Sequence, residues 1–127
     1  MDKAAATADR YDISKDVLFG QGERIDVNAV ASAQTPWWNR TLSEVNDSVV
    51  RLAVMEGDFH WHKHDAEDEF FYVVEGRFLI DLEGRTVELG PRQGFVVPKG
   101  VVHRTRAPER AVILMVESSG IVPTGDA

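Results

Sequence analysis

From Trp37 onward the apolar positions fall into short runs rich in Val, Ile, Phe and Tyr, each closed by Gly, Pro or an Asn-Asp pair. No part of this region sustains the 3.6-residue period of an amphipathic helix, so the pattern predicts strands. They are expected at 40–45, 48–56, 59–63, 69–75, 77–82, 85–89, 95–98, 103–107 and 110–117. Asn46-Asp47, Glu56-Gly57-Asp58, Glu83-Gly84 and Pro108-Glu109 read as the turns between them, because Gly and Asn take positive φ at little steric cost. Many short strands with frequent turn signals describe an all-β barrel or sandwich.

Before Trp37 the pattern is weaker. Residues 1–23 are polar and Ala-rich and read as a tail or arm, with Val17-Leu18-Phe19 as its apolar cluster, able to dock on a barrel or a partner subunit. Residues 24–27 suggest a short strand, Asn28 a cap for a helical turn over 29–33, and Pro36 its stop. Residues 118–127 form a second polar tail, which leaves one barrel domain over 24–117. A chain of 127 residues suits a single core.

Charge and composition narrow the chemistry. Acidic residues outnumber basic ones, 21 to 14, which argues against a nucleic-acid surface and against a polybasic membrane patch. The chain has no cysteine, so disulfides, thiolate metal sites and cysteine nucleophiles are excluded, and any metal must be held by nitrogen and oxygen. The first residues lack the basic start and apolar run of a signal peptide, and no stretch approaches a membrane span; a cytoplasmic protein is the expectation.

The stretch from Gly57 to Gly76, GDFHWHKHDAEDEFFYVVEG, carries three of the four histidines within five residues. Residues two apart on a strand share a face, so His62 and His64 can aim two imidazoles at one ion while Lys63 faces away. Glu69, entering an apolar strand, can add a carboxylate that itself needs a partner once buried. His103 follows an apolar strand and the turn at Pro98-Lys99-Gly100, placed to supply a third imidazole. Neutral imidazoles with one carboxylate suit divalent iron, zinc, manganese or nickel and leave positions open.

These residues resemble the two motifs of the cupin superfamily. Gly57, four residues, His62-x-His64, four residues, Glu69, six residues and Gly76 are similar to the first motif. Pro98-x-Gly100-x-x-His103 is similar to the second. The resemblance is to small single-domain bacterial cupins, often labelled as related to mannose-6-phosphate isomerase. It implies a double-stranded β-helix, usually a homodimer, with one divalent transition metal ion held by His62, His64, Glu69 and His103. This sequence departs from the pattern at three places: a first Gly-to-His spacing one residue short, Arg92 where a Gly often opens the second motif, and Ala107 where Asn often stands.

Other candidates carry two readings each. His60 shares the expected strand face with His62 and His64, so it is either a catalytic base near the ion or a histidine at the barrel mouth. Arg51 shares a face with Ala53 and Met55; it either points inward to bind an anionic substrate group or lies exposed at a strand edge. Trp37, Trp38, Trp61, Phe70, Phe71 and Tyr72 read as core or dimer-interface residues, and Asp65, Glu67 and Asp68 as a solvated loop. The expected function is a metal-dependent enzyme on a small organic substrate, with oxygenation or isomerisation the leading reactions. The alternative is a non-catalytic module that binds or senses a small ligand.

Overall fold

The structure is a computed structural model and describes residues 11–126. In chain order its elements are β1 (Asp12–Val17), α1 (Val27–Ser32), β2 (Trp38–Val45), β3 (Ser48–Asp58), β4 (Glu69–Glu75), β5 (Phe78–Leu82), β6 (Arg85–Leu89), β7 (Gly94–Val97) and β8 (His103–Ser118). Strands pair in the order β1-β2-β3-β8-β4-β7, with β5 branching from β8 and carrying β6. The result is a double-stranded β-helix, an all-β jelly roll whose sheet does not close. The predicted 69–75 and 85–89 strands match β4 and β6 residue for residue.

Strand β8 is the spine. Its end, from Val112, lies between β3 and β4, and its start pairs with β5. The inward phase of β3, β4, β5 and β8 supplies the main core, where Met55, Phe71, Phe78, Ile80 and Ile113 are buried. Each such side chain withdrawn from water contributes about 1.5–3 kcal/mol. Because β3 and β8 are apolar on both faces, their outer face also needs cover. Ala31 of α1, with Phe19 and Val30, provides it over Trp38, Leu42, Leu52, Val54 and Val112.

Several expectations are corrected. The predicted strands 103–107 and 110–117 are one strand, because Pro108-Glu109 is not a turn. Met55 pairs with Ala111 and Gly57 with Ala107, so three residues of β8 bulge against one of β3, at a proline that has no N–H to offer the ladder. Glu56-Gly57-Asp58 likewise stays within β3. Residues 59–63 do not form a strand; their backbone pairs with β8 only at Phe59 and at His62, which bonds His103 in both directions at 2.9 Å. No strand forms at 24–27. The helix starts two residues earlier than expected, since Asp26 accepts from the Ala29 N–H and takes the capping role.

Part of the predicted arm is a sheet element. Asp12–Val17 pairs in parallel with β2, a strand invisible to pattern reading because DISKDV is mostly polar. Residues 1–10 of the predicted tail, and residue 127, lie outside the described residues. Val17 and Leu18 are exposed, while Phe19 packs on the outer cluster. Arg92 adopts φ 67°, so a left-handed backbone is kept at the position where the related motif often has Gly.

Candidate metal centre

The four predicted ligands converge from three parts of the fold. His62 and His64 come from the irregular segment after β3, Glu69 opens β4 and His103 opens β8. One ligand atom of each lies within 4.8 Å of all the others. Bonds of about 2.1 Å to one ion would set such atoms about 3–4.2 Å apart. Glu69 Oε1 is 3.4 Å from His64 Nε2 and 3.6 Å from His103 Nε2.

The backbone sets which nitrogens face inward. His62 Nδ1 donates to the His60 carbonyl and His103 Nδ1 to the Val101 carbonyl, each at 2.9 Å. Both Nε2 atoms therefore carry lone pairs, as metal coordination requires. Burial, with His103 alongside, pushes the His62 pKa down to about 3, so the ring is neutral at physiological pH. Glu69 is lowered as well, which for a carboxyl favours the charged form. Burial raises its pKa, but His103, His64 and the Glu117 carboxyl outweigh this and hold it below the usual carboxylate range.

His64 Nε2, His103 Nε2 and Glu69 Oε1 are all buried without a hydrogen-bond partner. Three unpaired polar atoms facing one point would be costly in any fold. A divalent cation satisfies all three, so the residues fit the ion that the motif implies. Glu67 and Asp126 approach the His64 imidazole as well, within the same 4.8 Å limit.

Beside the ligands lies a cavity of about 420 Å³, open mouth included. Its walls are mostly apolar, with Trp37, Phe59, Phe71, Phe78, Ile113 and Met115 among them, and Asn39, Thr105 and Glu117 as polar lining in addition to the ligands His62 and Glu69. Glu117 escaped the sequence reading. It pairs directly with Glu69 across β8 and β4, so two carboxyls face each other inside the barrel. Burial, and then Glu69, raise the Glu117 pKa well above its ordinary value. The available signal was phase: Ala111, Ile113, Met115 and Glu117 share one face of β8.

Arg51 is not exposed at a strand edge: it shares the inward phase of Ala53 and Met55 and is 1% exposed. It does not line the cavity. Its guanidinium donates to Thr41 Oγ1 at 2.7 Å, to the Ser14 carbonyl at 3.0 Å and to Asn39 Oδ1, and Nε sits 3.3 Å from Glu117 Oε1. His60 is also outside the cavity lining. Its Nε2 donates to the Thr124 carbonyl at 2.6 Å.

That bond is one of several fixing the C-terminal tail as a strap across the site. Ile121 is buried, Pro123 lines the cavity, Asp126 N donates to the Lys63 carbonyl, and Asp126 Oδ2 accepts from Asp65 N. Gly125 lies against His62 at φ 98°, where an added Cβ would stand 2.5 Å from His62 Cβ. Gly125→Ala is therefore expected to cost about 1–3 kcal/mol in urea unfolding and to weaken metal binding. An unchanged unfolding midpoint would show that the strap is not seated.

The His62 shift sets a pH dependence for the metal-free protein. The ring titrates near 6.5 when free and near 3 in the fold, so between these values the unfolded chain holds more protons. Stability accordingly falls as pH drops from 6.5 toward 3, by at most about 1.4 kcal/mol per unit from this group. Urea midpoints of metal-free protein at pH 7 and pH 5 measure it, and wild type should lose more than His62→Gln.

The sequence profile of the Cupin domain matches residues 48–117, which contain all four ligands. The chain belongs to the cupin family. An uncharacterized Bacillus subtilis protein, YdbB, is 49% identical over 80 residues, covering 62% of this chain and 71% of that protein. A cupin-2 domain containing protein from Shewanella frigidimarina has 35% identity and a TM-score of 0.71, covering 74% of this cupin and 93% of that chain. A Neisseria meningitidis protein follows at 26% identity and a TM-score of 0.69, over 76% of this cupin and 99% of that chain. No helix of this cupin is long and apolar enough to cross a membrane among the described residues.

Proposed function

We propose that this cupin is a metal-dependent enzyme acting on a small organic substrate by oxygenation or isomerisation. The observation that carries the reading is the convergence of unpartnered His64 Nε2, His103 Nε2 and Glu69 Oε1 beside a cavity. His62, His64, Glu69 and His103 would hold one divalent ion of iron, zinc, manganese or nickel. When bound, the ion supplies Lewis acidity or, as iron, a redox centre.

The chain's own residues do the rest. Carbonyls of His60 and Val101 orient two of the imidazoles, the apolar walls keep bulk water from the reacting centre, and Glu117 presents a carboxyl to the bound compound. His60 and Arg51 act as positioning residues in this reading, His60 through the strap and Arg51 through Glu117. Reconstitution with each of the four metals, followed by a substrate panel, tests it. Metal-dependent product formation is expected; thermal stabilisation by compounds that are never turned over would instead favour a binding or sensing module.

Two further expectations belong to the same reading, a cytoplasmic location and a homodimer. The support for the dimer is an outward apolar row in which Phe70 pairs with Val116 and Val96, the latter two 41% and 49% exposed. Light scattering at micromolar concentration should give twice the chain mass, and a monomer would refute it.

A further inference from the structure

The lining of the cavity beside the ligands defines what it can hold. Its apolar lining is extensive: Phe59, Phe71 and Phe78 supply aromatic rings, with Met55, Ile113 and Met115 among the other lining residues. Its charged lining residues, among the described residues, are Glu69 and Glu117; no lysine or arginine lines it. The nearest guanidinium, that of Arg51, is already committed to Thr41, Asn39, Ser14 and Glu117. An anionic group lodged beyond the ion would meet the Glu117 carboxyl and no free lysine or arginine.

Glu117 is 3% exposed, and its Oε2 is buried without a hydrogen-bond partner. A buried carboxyl oxygen in that condition calls for a group able to bond it. A hydroxyl meets the need in either protonation state, donating to a carboxylate or accepting from a carboxylic acid. An anion can satisfy only one of those states, and a hydrocarbon neither.

We propose that the cavity takes a small, uncharged, ring-bearing compound with a hydroxyl group, its ring against the phenylalanine wall and its hydroxyl on Glu117. This assignment rests on the metal-enzyme reading for its chemistry and names the substrate class of the same site. It excludes sugar phosphates and simple carboxylic acids as the compounds the cavity is shaped for.

The methionines make the test direct, since two of the three, Met55 and Met115, line the cavity. Protein labelled with carbon-13 at the methionine methyls is titrated with phenol, toluene, benzoate and inorganic phosphate, once zinc-loaded and once metal-free. Phenol is expected to shift the Met55 and Met115 signals saturably in both forms. Toluene should bind about tenfold more weakly, a loss of about 1.4 kcal/mol, and benzoate and phosphate should leave both methyls unmoved.

Silence with phenol, or benzoate or phosphate binding as well as phenol, would overturn the proposal. Toluene matching phenol would overturn the role of Glu117 and with it the hydroxyl requirement. Zinc content of the same samples tests the metal reading separately. Zinc absent with phenol bound sinks only that reading, and zinc bound with phenol silent sinks only this one.

Discussion

Arg51→Met will lower the unfolding free energy by about 3–5 kcal/mol, read from urea midpoints at unchanged m-value. The guanidinium is buried in the sheet and serves four acceptors drawn from β1, β2 and β8. Methionine fills much of the volume but donates nothing, so Thr41, Asn39, Ser14 and Glu117 all lose their shared donor inside a low-dielectric interior. Arg51→Lys separates charge from geometry: it keeps the cation but not the planar fork, and should recover only part of the loss. A loss below about 1 kcal/mol for the methionine variant would mean that the pair contributes no more than a surface salt bridge.

His103→Ala is expected to reduce metal affinity by at least about 100-fold, measured by competition against a chromophoric zinc chelator. His103 is fully buried and its Nδ1–H is fixed by the Val101 carbonyl, so the substitution removes an imidazole already oriented toward Glu69. The same variant should lose the thermal stabilisation that metal gives wild type, because a ligand stabilises only in proportion to its binding. If the variant kept wild-type affinity, the ion would not be bound where Glu69, His64 and His103 leave their atoms unpaired.

The clustering of the four candidate ligands was legible in the sequence because its signal is local. His62-x-His64 and Glu69 lie within eight residues, and His103 sits behind a Pro-x-Gly turn that redirects the chain. The strands of the barrel were legible for a similar reason, since an alternating or continuous apolar run is read within one element. What failed to show depends on contacts between distant segments. DISKDV looks like a tail until β2 offers it a backbone edge, and Pro108-Glu109 looks like a turn until β3 continues past it.

The same limit applies inside the site. Glu117 became a cavity residue only once β8 was set beside β4, and His60 turned out to hold the strap only because Thr124, 64 residues later, returns to meet it. Phase left Arg51 open between an inward cation and an exposed one at a strand edge, and it could not reveal that the donors of the buried guanidinium are already taken. An inward charge on a strand announces a partner without naming it.

The walls of the cavity do not all come from the part of the chain that defines the family. Trp37 and Asn39 precede the matched region and Pro123 follows it, yet all three line the space beside the ligands. The matched region 48–117 thus contains all four candidate ligands, while part of the chamber wall is built by chain on either side of it. Two cupins alike through that region can share a metal and differ in what they admit, so an activity established for one should be carried over only to relatives that also match at 37–39 and 121–126.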